Sequence, residues 1–270
     1  MSLERTFTLL GTGSSGGVPR IGNDWGACDP QEPRNRRRRC ALLLEQRSAR
    51  GGTTSVLVDA GADLREQLLS ADVRVLDGVL LTHSHADHVF GLDDLRQLAL
   101  RLRRPIDVYM DEFTSEVVMR PFGYCFAQAP GSSYPAFCVE HRIVHPEPFS
   151  IAGEGGAVDV RTVRAEHGDI HALGFRFGTL VYLPDVKRVS DEASLEALAG
   201  AEVLILDALR RRPHPTHLNL EEALAFVERL QPRRTILTNM HNDLDYAALR
   251  DALPTGVEPG YDGLTVEISA

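Results

Sequence analysis

The run Thr82-His83-Ser84-His85-Ala86-Asp87-His88 places four metal-competent side chains within six residues. Neither the helical nor the strand period brings all four to one face. The run therefore reads as a loop that wraps ions, at the end of the apolar strand Gly78-Val79-Leu80-Leu81-Thr82. Neutral imidazole and carboxylate suit zinc, manganese or iron. The alternation lets His83 and His85 reach one ion while Asp87 and His88 reach another. Solvated loop histidines are the bland alternative for the same residues.

Around this run, apolar segments of strand length alternate with helical patterns. Phe7-Thr8-Leu9-Leu10 leads into the glycine-rich Gly11 to Pro19 segment, and Ala41 to Glu45 and Ser55 to Asp59 read as sheet neighbours. Helical spacing marks Ala62 to Ser70 and the stripe Leu92, Leu95, Leu98, Leu102, followed by a strand from Asp107 to Met110. Later strands are expected at Val158 to Val163, Leu173 to Phe177, Leu180 to Leu183, Val203 to Asp207, Thr235 to Thr238 and Leu264 to Ile268. Helices fit Asp191 to Leu198 and Asn219 to Leu230. Two sets of strands with interspersed helices predict an α/β chain: an αββα sandwich of two mixed β-sheets with outer helices, as one domain over 1–270. Between 120 and 156 prolines, glycines and aromatics alternate, so an irregular aromatic-rich loop is expected there, serving as a functional lid or a packed cover.

A net charge of −9 over 270 residues makes long nucleic acid an unlikely partner, because that grip needs many cations facing phosphates. No apolar stretch nears the roughly 20 residues that span a bilayer, and the polar start Met1 to Arg5 is unlike a secretory signal, so a cytoplasmic protein without a membrane partner is expected. Cys28, Cys40, Cys125 and Cys138 form no CxxC pair and read as reduced thiols.

The histidine run resembles the metal loop HxHxDH of the metallo-β-lactamase superfamily. That resemblance implies a further His, a bridging Asp and a final His at later strand ends, and His167, Asp185 and His241 stand in those places. Within the superfamily the chain is similar to the phosphoribosyl cyclic phosphodiesterase family of bacterial phosphonate breakdown. The likeness runs through Gly11-Thr12-Gly13, Gly17-Val18-Pro19, Trp25-Gly26, Arg36 to Cys40, His217-Leu218-Asn219 and Gly260-Tyr261-Asp262-Gly263. It implies two divalent ions, zinc or manganese, one held by His83, His85, His167 and Asp185, the other by Asp87, His88, Asp185 and His241. It also implies a structural zinc held by clustered Cys and a later His; here only Cys28 and, at the later position, Leu244 stand there, so no third metal is expected.

The expected activity is hydrolysis of a small phosphodiester, cyclic ribose or nucleotide-like, by a hydroxide bridging two ions about 3.5–4 Å apart. His217 resembles the family's catalytic histidine and is expected to bind substrate and protonate the leaving group, with Asp87 also in the catalytic set; capping a helix is the blander role for His217. Ser14 and Ser15 are candidate substrate-binding donors in the glycine-rich turn. Five of the six residues from Arg34 to Arg39 are arginine, read either as a solvated face or as partial phosphate contacts. Asp169 and His171 are candidate supports for the ligands, whereas His141, His145 and His214 fit no ligand position. The alternatives are a tRNA-processing-type endonuclease and a metal- or nucleotide-binding protein with little turnover. Oligomeric state is open.

Overall fold

Near-continuous apolar strands need cover on both faces, and burial alternates here to show how that is met. Phe7, Leu9, Leu42, Leu44, Val56 and Val58 face one core, while their neighbours Leu10, Ala41, Leu43 and Leu57 face another. In the later half Phe175, Phe177, Tyr182, Val203 and Ile205 join the first core, and Val181, Leu183, Leu204 and Leu206 line a third. The shared core lies between two sheets, and each outer core lies beneath helices.

The structure is a computed structural model that describes residues 3–49, 51–128 and 130–269. The first half contributes β1 (Glu4–Gly11), β2 (Ala41–Arg47), β3 (Thr53–Val58), α1 (Leu64–Ser70), β4 (Gly78–Leu80), α2 (Ala86–Val89), α3 (Leu95–Leu102), β5 (Ile106–Met110), α4 (Glu112–Phe126) and β6 (Cys138–Arg142). The second half adds β7 (Phe149–Ile151), β8 (Val158–His167), β9 (Ile170–Phe177), β10 (Leu180–Leu183), α5 (Glu192–Leu198), β11 (Val203–Asp207), α6 (Leu220–Leu230), β12 (Arg234–Thr238), α7 (Tyr246–Ala252), β13 (Val257–Pro259) and β14 (Thr265–Ser269). Among the described residues two seven-stranded sheets form, ordered β14-β1-β2-β3-β4-β5-β6 and β13-β12-β11-β10-β9-β8-β7. Each is mixed: β1, β2 and β3 pair antiparallel before the parallel β4 to β6, and β7 to β10 pair antiparallel before the parallel β11 to β13. This is the expected αββα sandwich.

The expected irregular stretch at 120–156 needs correction. α4 runs on through Pro121 to Phe126, its N-terminus held by the Asp111 carboxylate accepting from Thr114 N at 2.8 Å. Proline removes one helical donor and usually breaks a helix, but here Thr114, Ser115, Val118 and Cys125 on the same helix are buried, and that packing outweighs it. β6 then extends the first sheet beside β5, and β7 pairs with β8. Among the described residues no helix is long and apolar enough to cross a membrane.

Candidate metal centre

Strand ends from both sheets deliver the candidate ligands. Beyond β4, Leu81 N still bonds Tyr109 O at 2.9 Å, and the chain then turns through His83 and His85 into α2, which carries Asp87 and His88. His167 ends β8, Asp185 follows β10, and His241 follows β12. His83, His85 and His167 converge in one cluster, and His83, His88 and Asp185 in a second that shares His83. His83 Nε2 lies 2.9 Å from His85 Nδ1, His167 Nε2 lies 3.3 Å from that same atom, and His88 Nε2 lies 3.3 Å from Asp185 Oδ2. Asp87 joins through its carboxylate, 3.4 Å from His88 Nε2. His217 forms a third group with His167 and Asp185.

This donor set fits a cation. Burial and the neighbouring His88 push His83 well below the usual imidazole value, and burial with the charge of His217 takes His167 down to about 4, so both are neutral with lone pairs free. Asp185 Oδ2 is buried without a hydrogen-bond donor. An acceptor in that position costs free energy unless a cation meets it.

Groups that the sequence reading did not single out hold these rings. Asp59 is fully buried and accepts from Thr82 N at 2.8 Å and from His88 Nδ1 at 2.7 Å, which turns His88 Nε2 toward Asp185. Its backbone sits at φ 68, a left-handed conformation costly for a residue with a Cβ. Asp207, also fully buried, accepts from His217 Nδ1 at 2.8 Å, and Asn239 Nδ2 donates to both Asp185 and Asp207 at 3.2 Å. His167 Nδ1 lies 3.0 Å from Thr216 O. Asp59 and Asp207 shared a faint signal: each is an acid directly after a run of buried apolar strand residues. The other expected supports, Asp169 and His171, instead line a groove of about 730 Å³ between the start of α4 and the β8–β9 turn.

His241 stands apart from the three-residue clusters. Its Nδ1 faces Asp243 Oδ1 at 3.4 Å, both atoms buried and unpaired, while its backbone N donates to Leu209 O at 2.8 Å. Ser14 is buried beside this strand end, its N donating to Met240 O, whereas Ser15 is exposed and its carbonyl accepts from Arg39 Nε. Of the arginine run, Arg38 pairs with Asp262 and Arg39 with Asp63, Arg34 lies over Tyr246 and Tyr261, and Arg36 over Trp25. Arg37 is 2% exposed and donates to Leu244 O at 2.7 Å and His241 O at 3.4 Å, with Cys28 Sγ 3.9 Å away. Most of the run is therefore internal bracing. His141 bonds Asp107, and His145 bonds Thr162 and Asp191.

Residues 54–240 match the model of the beta-lactamase superfamily domain, and the chain belongs to that superfamily. More narrowly, it resembles a solved diphosphatase of the PhnP family, with TM-score 0.87 and 34% identity, covering 100% of this chain and 99% of that one. A Porphyromonas gingivalis protein named octanoyltransferase is 32% identical over 260 residues, which are 95% of this chain and 50% of that protein, so the chain spans half the length of this relative. A ribonuclease Z of Mycobacterium sp. (strain KMS) is 27% identical over 259 residues, covering 81% of this chain and 88% of that protein.

Proposed function

We propose that the chain hydrolyses a small phosphodiester, cyclic ribose or nucleotide-like, with two divalent ions, zinc or manganese. One ion is assigned to His83, His85, His167 and Asp185, the other to Asp87, His88, Asp185 and His241. The observation that carries the reading is the convergence of His83, His85 and His167, each held toward its neutral form by burial, beside the orphaned Asp185 oxygen and next to a histidine that can give up a proton. When bound, such an ion pair supplies a nucleophile at neutral pH and offsets charge on the phosphoryl oxygens.

The chain's own groups do the rest. Burial alone would lower the His217 pKa, but Asp207, then Asp185 and Asp87, raise it to about 9, so its ring is protonated at neutral pH. With Nδ1 bonded to Asp207, the proton on Nε2 is the one free to pass to the leaving alkoxide. Asp87, lowered to about 2 against its burial by His88, stays ionised and accepts a hydrogen bond from the incoming water. Ser14 and Ser15 are proposed to border the substrate from the glycine-rich turn.

The test is a panel of linear and cyclic phosphodiesters run with zinc and with manganese, alongside bound-metal analysis. Asp185→Ala is expected to lose metal and activity together; an Asp185→Ala protein with full turnover would sink the centre. The ribonuclease Z likeness over 88% of that relative supports a second reading, cleavage of a tRNA precursor. Adding such a precursor to the panel separates the two, since a net charge of −9 predicts weak, salt-sensitive RNA binding. Tight nucleotide binding without turnover would instead mark a binding protein.

A further inference from the structure

The chain that follows β12 is held by one buried cation, Arg37. Its backbone is pinned to the glycine-rich turn: Arg37 N donates to Val18 O and Val18 N to Arg37 O, each at 2.9 Å. From there the guanidinium donates Nη2 to Leu244 O at 2.7 Å and to Asn35 Oδ1 at 3.4 Å, and Nη1 to His241 O at 3.4 Å. Its Nε is buried without an acceptor, so the fork serves these carbonyls while one donor stays unmet. Among the described residues no carboxylate pairs with Arg37; its oxygen partners are carbonyls. Asn35, fully buried, continues the hold: its Oδ1 accepts from Tyr246 N at 2.8 Å and its Nδ2 donates to Asp245 Oδ2 at 2.6 Å. Ala27 N bonds Asn242 O at 2.8 Å, and the approach is so close that a Cβ on Gly26 would come within 2.4 Å of that oxygen.

We propose that Arg37 is the positioning residue for His241, its buried guanidinium fixing the backbone from His241 to Leu244 so that the imidazole is set for the ion assigned to Asp87, His88, Asp185 and His241. The inference rests on the two-ion reading and adds to it a residue outside the ligand set. His241 needs such a hold more than the other histidines do. His83, His85 and His167 bond one another and His88 bonds Asp59, whereas the His241 ring only faces Asp243 at 3.4 Å and lies outside the three-residue groups. Its orientation therefore depends on the main chain that carries it. A guanidinium suits this task because its planar fork sends donors in fixed directions, and bonds from a charged donor are the stronger kind. A buried charge without a carboxylate is costly unless its donors are met, which makes the three carbonyls around it a built feature.

Amide hydrogen exchange of the metal-free protein reads the hold itself, and calorimetric titration with zinc reads its consequence. In Arg37→Met the amides of His241, Leu244 and Tyr246 are expected to exchange faster. One of the two zinc ions should then bind about 10–100-fold weaker than in the unaltered protein, while the other keeps its affinity. Arg37→Lys, which retains the charge without the fork, falls between, and it carries the test if Arg37→Met does not fold. Cys28→Ala is expected to leave both readouts unchanged, because the thiol lies 3.9 Å from Arg37 Nη1. Unaltered exchange in the loop, equal weakening of both ions, or a Cys28→Ala protein as impaired as Arg37→Met would each overturn the positioning role. Faster exchange confined to this loop, in a protein whose unaltered form binds fewer than two ions, would instead overturn the two-ion reading and leave the hold of Arg37 standing.

Discussion

At the scale of single residues, orientation matters more than the presence of histidines. In the proposed reaction His217 serves as the donor because Asp207 fixes its Nδ1 and supports its proton. The raised pKa means that the donating form is present through neutral pH and is lost as pH rises through about 9. Asp207→Asn removes the main cause that raises it, so the alkaline limb of kcat/KM should move to lower pH; a limb that stays in place would assign the proton to another group. His217→Ala should lower kcat by about 10²–10⁴-fold with little change in metal content. A dense local motif makes four of the candidate ligands visible in the sequence, whereas His167, Asp185 and His241 were expected only through the family resemblance, and of these His241 stands outside the three-residue clusters. Asp59 and Asp207 were not legible, since a lone acid after a strand has no neighbours to distinguish it from a surface turn. Arg37 was hidden for the opposite reason: inside a run of arginines it resembles a solvated residue, yet it is among the largest fully buried side chains.

Secondary-structure elements show where local rules were overridden. The central strands were legible from apolar runs, whereas α4 was obscured by Pro121 and the short β6, β7 and β13 by their length, because few residues carry any period. α7 was missed for similar reasons, although Asp245 announces it as an N-cap. That carboxylate accepts from Ala248 N at 2.9 Å, Asp29 N at 3.0 Å and Asn35 Nδ2 at 2.6 Å. Burial is the largest single influence and opposes ionisation, but these bonds and the charge of Arg37 together bring its pKa below the ordinary carboxylate value. Its contribution is therefore complete above an unfolded pKa of about 3.9 and fades as pH falls through the lower folded value. Asp245→Ala should cost about 1 kcal/mol in urea unfolding at neutral pH. The gap to the unaltered protein should narrow in acid, and a gap constant down to about pH 2 would refute this linkage.

For the whole molecule, the shared core between the sheets is the main stabilising contact. Phe175 is fully buried there among Phe7, Phe177 and Tyr182. Phe175→Ala should lower the unfolding free energy by about 3–5 kcal/mol, read from denaturant titration. A loss below about 1 kcal/mol would mean that the sheets do not depend on this layer. The αββα arrangement was legible because strand-length runs outnumber helical stripes in both halves, and two covered faces per sheet then require helices outside. The candidate ligands divide along the same seam. His83, His85, Asp87 and His88 come from the first sheet, His167, Asp185 and His241 from the second. On the proposed reading, an ion held by both sets would act as a rivet across the sandwich: chelation would loosen the joint as well as stop the chemistry, and neither half of the gene could carry the site alone.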